Sequence, residues 1–412
     1  MKILWAKIDF LHPTNRGGQI RTLEMLRRIH SRHEVHYVAY DDPATPEGRT
    51  RAGEYASHVH SVDRPVPARG SPQFFGQLGK NLFSPLPLAV GRYRSGAMQV
   101  KIAGLMAREK FDATVADFLS ITPNFADLSE CVLFQHNVES DIWRRHTEHA
   151  SGPRKIYFAS QARRMAAYEK TACRAVKRVI AVSPQDAAAF RLKFGAAVVD
   201  HVPTGVDIDY FRRPASAPPT TDLIFVGAMD WLPNVDGARW FMSKVFPRIL
   251  DARPGTTLTF AGRNPSPEIL AFASNGASNG ASNGASNGAS NGAVRVTGTV
   301  PDIRPYLWGA SVAMVPLRIG GGTRLKIYEA MAAGVPVVAT AVGAEGLAVR
   351  DGENIKLADT PDRFAAAILQ LLNDPADRER MSGNALDLVS RNFSWESVAK
   401  RFEDILEASR QP

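Results

Sequence analysis

The sequence predicts an α/β protein of two consecutive Rossmann-like units, each built on a parallel sheet, facing a central cleft. Three observations predict it. Short apolar runs alternate with stretches of helical periodicity along most of the chain. Several of those runs end in glycine, as at Gly227 and Gly262, which suits the turn from a strand into a helix. After a Pro- and Ser-rich joint at residues 212–221 (RRPASAPPTT) the alternation starts afresh.

The elements follow in order. Residues 2–8 (KILWAKI) predict a buried first strand. Gly17 and Gly18 then precede a helix in which Ile20, Leu23, Met25, Leu26 and Ile29 recur at helical spacing, and VHYVAY at 35–40 predicts the next strand. Further strands are expected at 113–116, 132–135 and 178–182, with a long helix over 154–176. Beyond the joint, DLIFV at 222–226 and TLTFA at 257–261 predict strands around a helix over 235–250, and the series continues at 312–316 and 336–340. Val398, Phe402, Ile405 and Leu406 predict a last helix. The expected domains are 1–205, a linker at 206–221, a second domain at 222–392, and a C-terminal helix in 393–412 that packs back on the body. Residues 273–292 are five copies of Ala-Ser-Asn-Gly, by tandem expansion or by engineered replacement. With no apolar content they predict a disordered loop.

Composition narrows the classes. The chain has 412 residues, enough for two or three cores, and 44% hydrophobic residues. Two cysteines, Cys131 and Cys173, frame neither a disulfide scaffold nor a four-cysteine zinc site and read as reduced cytosolic thiols. Lys7 and Asp9 interrupt the first apolar stretch, so no signal peptide is predicted, and no apolar run is long enough to span a membrane. The expected location is cytoplasmic, including the inner face of the membrane. Residues 1–205 carry 29 Lys and Arg against 19 Asp and Glu, whereas the rest carry 21 against 22. The excess is densest over 144–178, a face suited to anionic lipid, a pyrophosphate-linked acceptor or nucleic acid, or simply a solvated basic helix. No aromatic-interleaved RNA motif or zinc-finger spacing supports nucleic acid.

The chemistry concentrates in PLRIGGGTRLKIYEAMAAGVPVVAT, residues 316–340. A strand runs into Gly320, Gly321 and Gly322, Thr323 stands at a helix N-cap, and the helix over 324–333 stops at Gly334. Glycines let backbone N–H groups approach an anion, and the helix start adds partial positive charge. Arg324 and Lys326 add full charges there. Glu329, one turn on, is placed to accept the hydroxyls of a ribose. The order of cradle, cation and carboxylate suits a nucleoside diphosphate. A Walker-type loop is excluded, because Gly-Lys-Ser/Thr is absent. The same residues also suit a plain surface loop with a Lys326–Glu329 ion pair. Asp230 and Asp236 read as loop and helix-cap residues and are assigned no catalysis.

The run GGTRLKIYEAMAAGVPVV resembles the donor-site signature of the retaining glycosyltransferases of GT-B fold, family four, the group one glycosyl transferases. The resemblance extends over nearly the whole chain. The loop at 13–18 with Gly17 and Gly18 is similar to the family's N-terminal glycine loop, and Gln135-His136-Asn137 to its post-strand histidine element. VIAVS at 179–183 and VPTGVD at 202–207 match further elements, and FVG at 225–227 and FAGR at 260–263 match the nucleotide-side loops. FVGAMDWLPNVD (225–236) and PLRIGGGT (316–323) resemble a subgroup linked to exopolysaccharide assembly. Two positions depart from the pattern: Gly321 stands where the family often has a glutamate, and Ala228 where it often has an arginine.

The resemblance implies sugar transfer from a UDP- or GDP-sugar with retention, without metal or other cofactor, to a glycan or a polyprenyl-pyrophosphate-linked acceptor. It implies catalytic roles for His136, Arg324 and Lys326. Donor binding would fall to Gly17, Gly18, Gly227, Arg263, Gly320, Gly321, Gly322, Thr323 and Glu329. A nucleotide-sugar epimerase of the same fold and a non-catalytic nucleotide-sugar-binding protein are the competing readings.

Overall fold

The computed structural model describes residues 1–14, 17–63, 71–82, 84–148, 150–216, 220–274, 293–319 and 325–410. They form two compact units, Met1–Thr204 with Trp395–Pro412, and Gly205–Ser394. No helix among the described residues is long and apolar enough to cross a membrane.

The first unit holds seven strands: β1 (Lys2–Ala6), β2 (Glu34–Asp41), β3 (His58–Asp63), β4 (Ala113–Asp117), β5 (Cys131–Phe134), β6 (Arg178–Ala181) and β7 (Val199–His201). Their order in the sheet is β3-β2-β1-β4-β5-β6-β7, and every pairing is parallel. Period-two alternation sends Leu4 and Ala6 into one apolar core and Ile3 and Trp5 into another, so the central strand is buried on both faces. The helix Trp395–Ala408, last in the chain, covers the second of these faces. Its Trp395, Val398, Phe402 and Leu406 are buried there, with the Phe402 ring 5.3 Å from Trp5. Arg32 ties it down through Glu396 and the buried Glu403.

The second unit holds β8 (Thr221–Val226), β9 (Leu258–Ala261), β10 (Val294–Val296), β11 (Ala310–Val315), β12 (Val337–Ala339) and β13 (Lys356–Leu357). The order is β10-β9-β8-β11-β12-β13, again wholly parallel. The helix Pro267–Ser274 takes in the first two residues of the repeat, and the rest of the expected disordered loop, residues 275–292, lies outside the described residues.

In this unit the helix Leu325–Ala332 ends in a double-bonded C-cap. Gly334 takes φ +69°, its N–H donates to the Met331 carbonyl at 3.0 Å, and the Val335 N–H donates to the Ala330 carbonyl at 2.9 Å. A side chain disfavours this left-handed backbone, so Gly334→Ala is expected to lower stability by about 1–2 kcal/mol. Urea denaturation checks it; an unchanged midpoint would show that the turn relaxes.

Candidate active site

Ligands of open α/β sheets bind outside the carboxyl ends of the strands, where the strand order reverses. In the first unit that point lies between β1 and β4. Lys7 follows β1, Asp117 ends β4, and both side chains are fully buried. Asp117 accepts from Trp5 Nε1 (2.9 Å) and Thr22 Oγ1 (2.8 Å) on Oδ2, and from Lys7 Nζ (2.8 Å) and His136 Nε2 (2.8 Å) on Oδ1. These four donors match the carboxylate's acceptor capacity. Burial opposes its charge, yet Lys7 and His136 hold its pKa well below the usual carboxylate range.

His136, just past β5, is buried with both ring nitrogens engaged. Nε2 faces the ionised Asp117, and Nδ1 lies 3.0 Å from Arg21 Nη1. Arg21 only donates, so Nδ1 accepts and the proton sits on Nε2. Burial lowers the His136 pKa to about 3, despite the Asp117 carboxylate, and leaves the ring neutral. Phe118 stacks on it at 4.0 Å and 7° from a backbone at φ +76°, a region strained for a side chain of this size. The Lys7 ammonium sits 4.2 Å from the other partner of that stack, the Phe118 ring. Burial also lowers the Arg21 pKa, to about 10; its Nη2 donates to Thr204, and its Nε has no partner among the described residues.

Gly17 and Gly18 open the helix Gly17–His30. A Cβ on Gly18 would fall 2.8 Å from Phe118 and 3.6 Å from His136 Nδ1, whereas one on Gly17 would meet nothing within 4 Å. Only Gly18 is therefore needed for this close approach. Alongside lies a cavity of about 110 Å³ bounded by Asp9, His12, Gln19, Tyr40, Asp42 and Tyr93, among others. One water needs about 10–15 Å³ on that measure, so the cavity is large enough for a bigger polar group. Gln19 Nε2 donates to Asp9 at 3.2 Å, while its buried Oε1 has no partner among the described residues.

In the second unit the order reverses between β8 and β11. Gly227 follows β8, and Lys326 lies on the helix after β11. Lys326 Nζ donates to Asn234 Oδ1 at 2.9 Å and lies 4.9 Å from the Phe225 ring centre. Asn234 is itself fixed by donating to the Ala228 carbonyl at 2.8 Å. A Cβ on Gly227 would fall 2.6 Å from Asn234 Nδ2 and 2.9 Å from Lys326 Nζ; glycine keeps this space clear. Gly262, at φ +152°, packs on the same turn, where a Cβ would meet the Gly227 carbonyl oxygen at 1.8 Å. Glu329 makes no side-chain hydrogen bond to a described residue. Burial raises its pKa, and Lys326 opposes the shift.

Two groups of predicted residues thus come together, each within its own unit: Gly18 with His136, and Gly227 with Lys326. Arg263 is exposed on the turn after Gly262. Gly320, Gly321, Gly322, Thr323 and Arg324 lie outside the described residues. Asp236 forms a forked ion pair with Arg318 at 2.6 and 3.1 Å, and Asp230 accepts from Asn264 at 3.1 Å. Sequence reasoning missed Lys7, Arg21, Asp117 and Asn234. A charge directly after an apolar strand, as in KILWAK and ATVAD, is the signal that marks Lys7 and Asp117.

The family model described as Glycosyltransferase Family 4 matches residues 15–210, and that of the Glycosyl transferases group 1 matches residues 220–374. An uncharacterised 44.6 kDa protein of the cps region of Klebsiella pneumoniae is 22% identical over 405 residues, 96% of this chain and 97% of that protein. Among solved structures, sucrose-phosphate synthase from Thermosynechococcus elongatus superposes with a TM-score of 0.65 at 18% identity, covering 99% of this chain and 98% of that one. Anabaena HepE in complex with UDP gives 0.63 at 17%, covering 99% and 100%, and its UDP-glucose complex gives 0.57 with the same identity and coverage. The two matched segments together take in the second sheet and all of the first except β1, and the fold likeness runs the length of the chain: it belongs to the group 1, family 4 glycosyltransferases, with their GT-B fold.

Proposed function

We propose that this chain transfers a sugar, with retention and without a metal, from a UDP- or GDP-sugar to a hydroxyl of a glycan or lipid-linked acceptor in cell-surface or exopolysaccharide assembly. One observation carries the reading. An ammonium braced by a buried asparagine stands over a glycine-cleared space at the switch point of the second sheet, one helical turn before the Glu329 carboxylate, which makes no side-chain hydrogen bond to a described residue. Lys326, with Arg324 and the glycine amides ahead of it, would meet the charge that develops on the leaving diphosphate. Glu329 would accept the ribose hydroxyls. HepE, of the same fold, binds UDP and UDP-glucose, which supports the choice of donor.

In the first unit, His136 is assigned a positioning role. Its nitrogens are engaged and its ring is neutral, so it holds the loop against Gly18 rather than moving a proton. The cavity beside it offers carboxylates and an amide oxygen, groups that accept from hydroxyls and repel anions. It therefore suits the sugar end of the acceptor rather than its pyrophosphate.

Transfer from labelled UDP- and GDP-sugars to membrane-extracted acceptors tests the reading. Failure with both, and no release of nucleotide, would leave a binding protein. Glu329→Ala is expected to weaken nucleoside-diphosphate binding about 10-fold, from the loss of charge-assisted hydrogen bonds. Calorimetry checks it, and unchanged affinity would remove the ribose assignment.

The lipid-facing part of the proposal rests on the helix Gly152–Ala175. Arg154, Lys155 and Arg163 are exposed on it, beside an Ile156 that is 75% exposed, whereas Arg164 is turned inward onto the Asn81 carbonyl. Each basic residue near an anionic surface contributes about 1 kcal/mol. Replacing Arg154, Lys155 and Arg163 by serine is expected to lower partition onto phosphatidylserine vesicles roughly 100-fold at low salt. Equal co-sedimentation of the variant would leave this face merely solvated.

A further inference from the structure

At the amino ends of β2 and β3, opposite the carboxyl ends that carry the switch-point groups, the first sheet gathers imidazoles and carboxylates that the proposed transfer does not use. Glu34 and His36 alternate on β2, and His58 and His60 alternate on β3, with His36 in register with His58 and Val38 with His60. Period-two geometry sends all four side chains to one face. Glu34 Oε1 lies 3.1 Å from His36 Nε2 and 3.2 Å from His58 Nε2, and the three donor atoms all lie within 4.8 Å of one another.

We propose that Glu34, His36 and His58 form a binding site for a divalent ion of the zinc class, which clamps the edge strand β3 onto β2. Tetrahedral ligands at zinc bond lengths of about 2.0–2.1 Å stand about 3.3 Å apart, close to both separations from Glu34. Imidazole with carboxylate selects zinc, copper or nickel over magnesium and calcium, which take oxygen ligands. Glu109 Oε2, 3.6 Å from His36 Nε2, is a further donor that can complete the set where water does not.

The surroundings fit this use. His36 Nδ1 lies 3.2 Å from His60 Nε2. With Nδ1 donating to His60, the His36 Nε2 lone pair faces Glu34 and His58, the outer-shell arrangement that orients ligating histidines. His36 is buried, whereas His58 and Glu34 are about half exposed and give an ion its path in. Lys2 is the competing cation, 3.4 Å from Glu34 Oε1. It is also paired with Glu109, so it can leave Glu34 without losing its only partner.

Zinc binding to the untagged full-length chain tests the proposal, by equilibrium dialysis with metal analysis. One Zn²⁺ per chain is expected, uncontested by excess Mg²⁺. The double variant Glu34→Gln/His58→Ala changes two half-exposed residues and keeps the fold. It is expected to bind at least roughly 100-fold more weakly, and His60→Gln, beyond the ligands, about 10-fold more weakly. Co²⁺ in place of Zn²⁺ should give the visible bands of a four-coordinate ion. Zn²⁺ should slow amide exchange in β3, and sugar transfer should be unchanged in the double variant. Absence of binding, or equal binding by the double variant, would overturn the site and leave the cluster as hydrogen bonding at a sheet edge.

Discussion

Lys326→Ala is expected to slow sugar transfer roughly 10²–10³-fold, the usual effect of removing one group aimed at developing charge. The loss should fall mainly on kcat. The ammonium gains most when the diphosphate takes up charge on leaving, so the transition state feels its removal more than the bound donor does. Two further variants separate this from a general loss of structure. Asn234→Ala removes the 2.9 Å bond that holds the ammonium, so it should lower the rate by a smaller factor with the charge still present. Gly227→Ala touches no charge, but its Cβ would sit 2.9 Å from Nζ and 2.6 Å from Asn234. It should therefore push both aside and reproduce much of the Lys326→Ala defect. Steady-state kinetics with the preferred nucleotide sugar check all three. A wild-type kcat in Lys326→Ala would remove the residue from the chemistry, whatever the other two do.

How far the sequence reveals this arrangement depends on the range over which its parts are joined. The central strands are legible because a parallel strand buried on both faces reads as a near-continuous apolar run, as ILWA at 3–6 and LIFV at 223–226 do. β3 (HVHSVD) is not, because it is an edge strand with most of its side chains wet, and its polar residues mask the pattern. β13, with two residues, is too short to carry a period. The helix Leu325–Ala332 is legible from local chemistry, with a glycine stop one residue beyond Ala333. The helix Trp395–Ala408 is legible as an amphipathic helix, yet nothing in its own residues says that its apolar stripe belongs to the unit that begins the chain. Likewise, Lys326 meets Asn234 across 92 residues and His136 meets Arg21 across 115, so no local spacing encodes either contact. The parallel crossovers create them. A motif can nominate Lys326 and His136, but only the assembled sheet shows that one ammonium stands beside a cleared space and that one imidazole has both nitrogens engaged.

Asp117→Asn is expected to destabilise the protein by about 3–5 kcal/mol, the cost of breaking a buried ion pair from one side. Against a typical domain stability of about 5–15 kcal/mol this is a large fraction. The amide keeps the shape but offers donors where the carboxylate accepted from four groups, and it leaves the Lys7 and Arg21 cations without their shared anion. Lys7→Met in the same chain removes one stranded cation. The double variant should thus be more stable than the sum of the single effects, by a coupling of about 1–3 kcal/mol. The pH dependence has a definite sign. Asp117 is depressed in the folded state, so its contribution is present above the ordinary carboxylate range and lost as pH falls through its folded value. The folded value of His136 is lowered from 6.5 to about 3, so the unfolded chain binds its proton first, and stability falls as pH drops from 6.5 toward 3. Each such proton gives a slope of about 1.4 kcal/mol per pH unit. Replacing His136 with glutamine should flatten the acid limb by that amount, while the other histidines with lowered values, His12, His33, His60 and His201, keep part of it. Urea midpoints between pH 7.5 and 4.5 measure both effects. An Asp117→Asn variant with the wild-type midpoint would mean that the four donors find other partners, and the network would then have no claim to set the position of His136.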